Sequence, residues 1–320
     1  MSETEASLHV PAQRIPLPST VSPEARAFLA AAAKRIASAA DNAPAGDADP
    51  SAFALGILRE RAASAAAAIE EIALGPAKLY RVTPAGREGR RAEVAYLDIH
   101  GGGFVSGGGE MCKLLAALRA SDFGVEVYAV DYRLAPAHPY PAAIEDVMAA
   151  YRAVLGRVDA ADLVVAGSSA GGNLAAATML RARAEGLPLP AALLLLTPVT
   201  DLTGAGDSRI TNRFLDTTLY DSAADVLASY VGGADPTDPD LSPVYGDVTG
   251  WPPVLLSTGT RDLLLSDTVR MHRALRRARV AAELHVTEAG PHGGFMGTAP
   301  QDRELMAECR RFCETAWGLA

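Results

Sequence analysis

Gly167-Ser168-Ser169-Ala170-Gly171 sets a serine in the G-x-S-x-G pattern of a nucleophile elbow. The apolar run Leu163–Ala166 before it reads as a short buried strand, and Gly172–Leu180 after it reads as a helix. Strand, sharp turn and helix together push the middle serine into a strained backbone with its hydroxyl exposed. Flanking glycines keep a Cβ out of that turn. Taken alone the pattern also fits an ordinary small-residue turn, so the strand and helix around it carry the argument. A second chemical feature is His100-Gly101-Gly102-Gly103, directly after an apolar run that ends at Ile99. Six of the nine residues 101–109 are glycine. A phosphate loop would close on Gly-Lys-Ser/Thr and a dinucleotide loop would read G-x-G-x-x-G; this loop does neither. Bare backbone N–H groups free to face a developing negative charge are the remaining use, with His100 shaping the loop.

A serine nucleophile needs a base, and the base needs an acid to orient it. Where such elbows occur, the acid follows the serine along the chain and the base follows the acid. Three histidines lie beyond Ser169. His272 sits in a basic helix and His285 within a strand, where solvation or packing explains them. His292 sits in Ala289-Gly290-Pro291-His292-Gly293-Gly294-Phe295, a glycine-rich loop after the last strand, and is the expected base. Asp262 stands just past the strand Val254–Thr258 and is the expected acid, ahead of Asp201 and then Asp267. Asp267 has an ordinary role open to it in the first turn of a helix. None of the six histidines forms an H-x-x-x-H pair, so a helical zinc site is not expected, and no cofactor is needed for this chemistry.

These residues need a scaffold. A chain of 320 residues with 49% hydrophobic and 21% charged residues suits one large domain with an accessory lid, or two domains. The net charge of −9 argues against nucleic acid or an anionic membrane as the main partner. Residues 1–15 lack the apolar core of a signal peptide, no apolar run approaches the ~20 residues of a membrane span, and three cysteines make no disulfide framework. The expectation is a cytoplasmic protein, with Cys309 and Cys313 packing on one helical face.

Residues 1–20 read as extended. A helix starts at Ser22, with Ser22 as N-cap and Pro23 at its first position, and runs to about 40. After a turn-rich linker at 41–50, a weak apolar stripe at Phe53, Ile57, Leu58 and Ile69 predicts a second helix over 50–73. Strands are expected at 78–83, 93–99, 125–131, 163–166, 191–197, 254–258 and 282–287. Helices are expected at 110–122, 141–155, 172–185, 266–279 and 301–317. The alternation implies an α/β fold with a mostly parallel sheet covered on both faces. About 55 residues separate the strand near Pro198 from the next at Val254, with a helical run at Ser222–Val231, and they read as a lid.

The His100-Gly-Gly-Gly loop, the Gly167-Ser-Ser-Ala-Gly-Gly elbow and Asp131-Tyr-Arg-Leu-Ala-Pro136 with Pro139 and Pro141 resemble the hormone-sensitive-lipase family, the bacterial family IV esterases. The resemblance spans roughly residues 93–300. It implies an α/β-hydrolase core at 76–200 and 246–320, N-terminal cap helices at 1–75 and a cap insertion at 201–245. It implies Ser169, Asp262 and His292 as the catalytic triad, with the N–H groups of Gly102, Gly103 and Ala170 as the oxyanion hole. It implies a small-molecule ester of short-to-medium acyl chain as substrate. A lactone, amide or carbamate is the alternative with the same triad, and a non-catalytic small-ligand receptor is the alternative without catalysis. Phe28, Leu29, Phe53, Phe214, Leu215 and Leu219 are available to wall an acyl pocket or to pack the cap. A homodimer is left open, with His285 on the last strand at its edge or at the surface. Two positions depart from the family's habit: Ser168 where aspartate is common, and a base loop one glycine longer, His292-Gly-Gly-Phe295. Asp131 and Arg133 are expected to brace the loop beside the glycine cluster.

Overall fold

The computed structural model describes residues 10–12, 14–41, 50–86, 89–220 and 223–320. Most of the linker expected at 41–50, and residues 1–9 of the N-terminus expected to be extended, lie outside this set.

Eight strands form one sheet: β1 Ala67–Leu74, β2 Ala77–Pro84, β3 Ala95–Ile99, β4 Glu126–Asp131, β5 Leu163–Ser168, β6 Ala192–Leu196, β7 Val254–Gly259 and β8 Ala282–Thr287. Their order is β1-β2-β4-β3-β5-β6-β7-β8. The pairings from β4 through β8 are parallel, while β1–β2 and β2–β4 are antiparallel. Strands β3 to β7 are nearly continuous apolar runs because both faces are covered.

The described helices are α1 Pro23–Asp41, α2 Pro50–Ala62, α3 Glu110–Phe123, α4 Ala142–Leu155, α5 Ala170–Ala184, α6 Ser208–Thr211, α7 Ala223–Val231, α8 Leu265–Arg277 and α9 Pro300–Ala316. Alternate residues along each strand serve opposite faces. Leu97, Ile99 and Val165 belong to the core cluster that includes residues of α4, α5 and α8, whereas Tyr96, Val164 and Ala166 belong to the one with α3 and α9. Val21, Ala25 and Leu29, at and within α1, form a third cluster with Ala289, Phe295 and Ala299. That contact sets α1 against the loop that carries His292. Ser22 caps α1 as expected, accepting the Ala25 N–H at 3.2 Å, and its hydroxyl also donates to Gln301.

One expected element is wrong. The second helix stops at Ala62, and residues 67–74 are strand β1. Gly75-Pro76 turns the chain, Leu74 faces Ala77, and Glu70 lies opposite Arg81. The Glu71–Lys78 and Glu70–Arg81 pairs bridge the two strands at 2.9 Å and 3.5 Å. The ladder to β2 and the packing of Ile72 and Leu74 on the core hold this segment, with the exposed charge pairs beside them, and only Ile69 of the expected helical stripe lies in it.

Among the described residues no helix is long and apolar enough to cross a membrane, and no group of His, Cys, Asp and Glu could hold a metal ion.

Candidate active site

Ser169 is placed by the end of β5 and the start of α5. Its backbone sits at φ 55° and ψ −117°, a sparsely populated region that costs about 1–3 kcal/mol and persists only when its surroundings enforce it. Here the Ser169 N–H donates to the Leu196 carbonyl at 2.9 Å, and the Ser169 carbonyl accepts from Asn173 and Val199. Gly171 lets α5 begin against the end of β3: a Cβ there would stand 1.9 Å from the Ile99 carbonyl oxygen and 2.5 Å from that of His100. The elbow and the glycine-rich loop therefore fit together only with glycine at this position.

His292 Nε2 lies 2.8 Å from Ser169 Oγ, and His292 Nδ1 lies 3.1 Å from Asp262 Oδ1. Asp262 is fully buried just past β7. Its Oδ1 also accepts the Leu264 N–H at 2.8 Å, and its Oδ2 accepts the Thr258 hydroxyl at 2.9 Å. This leaves Oδ1 facing the imidazole. Burial pushes the His292 pKa down, but the charge and hydrogen bond of Asp262, with the charge of Asp216 added, outweigh it and hold the pKa above its usual value.

The longer base loop is taken up by Gly293 and Gly294, both left-handed. A Cβ on Gly294 would lie 2.6 Å from Asp302 Oδ1, the atom that accepts the Phe295 N–H at 2.9 Å. Phe295 is buried and meets Phe28 of α1 edge-on at 5.8 Å. In this loop Phe295 sits in the α1 contact while His292 faces Ser169.

His100 is buried, stacks on Tyr132 with centroids 4.1 Å apart, and hydrogen-bonds the Gly101 carbonyl through Nδ1 at 2.8 Å. The Tyr132 hydroxyl donates to the His100 carbonyl. Burial lowers the His100 pKa to about 4, so its ring is neutral at pH 7 and shapes the loop. A Cβ on Gly101 would lie 3.3 Å from Ser169 Cβ, which puts this loop beside the serine. Among the described residues the N–H groups of Gly102 and Gly103 make no backbone hydrogen bond. Ala170 is the first residue of α5, where an N–H has no partner within the helix.

Asp131 and Arg133 brace this region through other partners than each other. Arg133 forks onto Asp146, with Nη2 at 2.8 Å from Oδ1. Asp131 accepts the Gly109 N–H and the Tyr80 hydroxyl. The two other candidate acids, Asp201 and Asp267, have partners elsewhere. Asp201 holds Arg270, the Tyr245 hydroxyl and Thr203. Asp267 holds Arg209 and the N–H groups of Thr200 and Asp201. His272 lies on α8, and His285 on β8 sits 3.4 Å from Glu283. Of the apolar candidates, Leu29 is buried in the α1 cluster, while Phe214 is 60% exposed and packs edge-on to Tyr220. The side chain of Phe53 lies outside the described set.

One residue beside the site escaped the sequence reading. Asp216 is fully buried in the insertion, and it accepts the N–H groups of His292, Leu263, Thr218 and Leu219. The available signal was an Asx turn, Asp216-Thr-Thr-Leu219, in a stretch with no periodicity.

The sheet order, the elbow after β5 and the loops after β3, β7 and β8 at one sheet edge define an α/β-hydrolase architecture. A family model described as alpha/beta hydrolase fold matches residues 96–296, and the chain belongs to that family. It is 34% identical over 250 residues to an acetyl-hydrolase of Streptomyces hygroscopicus, covering 74% of this chain and 79% of that protein. Its structure superposes with a TM-score of 0.83 on the crystal structure of an esterase at 32% identity, over 97% of this chain and 98% of that one. A TM-score of 0.82 at 29% identity relates it to an esterase of the bacterial hormone-sensitive lipase family, over 92% and 99% of the two chains.

Proposed function

We propose that this protein is a serine carboxylesterase that cleaves short-to-medium-chain carboxylic esters through an acyl-enzyme. The observation that carries the reading is the hydrogen-bonded line from Ser169 Oγ through His292 to Asp262. His292 Nε2 takes the hydroxyl proton as Ser169 Oγ attacks the ester carbonyl. Asp262 accepts a hydrogen bond from the Nδ1–H, which stays on His292; this fixes the tautomer and stabilises the imidazolium that forms. The N–H groups of Gly102, Gly103 and Ala170 receive the negative charge on the carbonyl oxygen, and loss of one such donor costs about 3–4 kcal/mol. Collapse of the tetrahedral intermediate breaks the ester C–O bond, and His292 returns the proton to the departing alcohol. Water, deprotonated by His292, then attacks the acyl-serine, and the acid leaves with Ser169 restored.

The preference for short-to-medium acyl groups is supported by the acetyl-hydrolase relative. The residues 1–75 and 201–245 form the cap in this reading, with β1 at the sheet edge as the exception. Unpaired, buried Cys112, Cys309 and Cys313 support a cytoplasmic setting.

The test is hydrolysis of p-nitrophenyl esters from acetate to palmitate, a lactone and an anilide, with Ser169→Ala as control. Turnover should peak at short chains and vanish in Ser169→Ala while its circular dichroism stays unchanged. Residual activity in that variant would refute the nucleophile. A maximum on palmitate, lactone or anilide would refute the substrate class.

A further inference from the structure

We propose that Asp216, in the insertion between β6 and β7, is a positioning residue that clamps the Asp262 and His292 loops together, so that the site is assembled by a seated cap. The inference rests on the Ser169–His292–Asp262 reading above.

The geometry is specific. Asp216 Oδ1 accepts the Thr218 N–H at 2.8 Å and the Leu219 N–H at 3.1 Å, which closes a turn in the insertion. Asp216 Oδ2 accepts the Leu263 N–H at 2.8 Å, and the His292 N–H lies 3.3 Å from both oxygens. Leu263 follows Asp262, so one carboxylate ties the backbone of both loops to the cap. Asn212 adds a second tie nearby, donating to the carbonyls of Thr260 and Asp262. Burying a carboxylate without a cation is unfavourable unless its oxygens are satisfied. Asp216 makes no ion pair with lysine or arginine among the described residues, and backbone donors alone satisfy it. An asparagine has one oxygen for these donors and would turn its own NH2 group against the rest.

The charge has a second effect. The charged groups facing His292 are Asp262 from the end of β7, Asp216 from the insertion, and Arg209 of α6, which is paired with Asp267. Asp216 favours the imidazolium, the form His292 takes while it holds the serine proton. Removing that charge weakens the base and moves its titration to lower pH.

The experiment compares the parent protein, Asp216→Asn and Asp216→Glu in three measurements: labelling of Ser169 by a serine-directed phosphonate, the pH dependence of kcat/KM for p-nitrophenyl acetate, and thermal unfolding. In Asp216→Asn, kcat should fall roughly 10- to 100-fold, as expected for a displaced catalytic group, with KM within about threefold. Its acid limb should move to lower pH. Asp216→Glu, which keeps the charge, should return the limb toward the parent position. An unchanged kcat and limb in Asp216→Asn, with Ser169 labelled normally in the parent, would overturn the clamp and leave the triad standing. A lowered unfolding temperature with an unmoved limb would reduce Asp216 to cap packing and overturn it equally. An unlabelled Ser169 in the parent would sink the triad reading and the clamp together. Should Asp216→Asn fail to fold, hydrogen exchange in the parent decides: the Leu263 and His292 amides should be as protected as those of β7, and loop-like exchange refutes the clamp.

Discussion

Replacing Asp262 with asparagine isolates the charge of the acid from its geometry. Asp262 Oδ1 accepts from Leu264 and faces His292 Nδ1, while Oδ2 accepts from the Thr258 hydroxyl. An asparagine carbonyl fits the Oδ1 position, and its NH2 group can donate to a rotated Thr258 hydroxyl. Asp262→Asn therefore keeps the imidazole in place and in the same tautomer, and the charge alone is lost. A unit charge at the 3.1 Å contact is worth about 5 kcal/mol at an effective dielectric of about 20. The charge centres of carboxylate and imidazolium lie further apart than their touching atoms, which reduces this to about 3–5 kcal/mol. The expected loss is roughly 10²- to 10⁴-fold in kcat. The acid limb of kcat/KM should also move to lower pH, because Asp262 is the main group raising the His292 pKa against burial. Steady-state hydrolysis of p-nitrophenyl acetate across pH, with near-ultraviolet circular dichroism as the fold control, measures both. A folded Asp262→Asn protein within tenfold of the parent rate would refute the argument that Asp262 stabilises a developing imidazolium.

In the parent protein kcat/KM should fall as pH drops through a His292 pKa held above its usual value, because the protonated ring cannot accept the serine proton. A rate that stays flat from neutral pH to well below the ordinary histidine range would contradict this. Gly171→Ala should destabilise the fold by about 1–3 kcal/mol or more, since its Cβ would meet the Ile99 carbonyl at 1.9 Å. Urea unfolding reads this directly, and a stability equal to the parent's would show that the elbow and the glycine loop can part without cost.

Much of the fold was legible because its central strands are buried on both sides. β3, β5, β6 and β7 are short apolar runs, and the expected boundaries fall within a few residues of the observed ones. β1 was hidden by the same physics in reverse. It is an edge strand with Glu70 and Glu71 side by side and exposed, so its apolar residues show no clean alternation, and it is held by its ladder to β2. The Gly75-Pro76 turn was its one local mark. Arg133 pairs with Asp146, 13 residues on in α4, and no spacing rule selects it over Asp131.

Ser169, His292 and Asp262, hydrogen-bonded in the order Ser–His–Asp, stand out in the sequence because each carries a local backbone signature: an elbow between glycines, a glycine loop after a strand, an aspartate just past a strand end. Local sequence settles such things, since a strained turn or a strand end is specified by the residues that make it. The structure decided which groups meet. It brought His292 Nε2 to 2.8 Å from Ser169 Oγ across 123 residues of chain, and it kept Asp201 and Asp267 away with ion pairs of their own. It also set Asp216 under the His292 loop, 76 residues distant, through donors that every backbone carries. A backbone N–H leaves no trace in residue type, so a carboxylate that serves only such donors becomes visible only when the chain is folded.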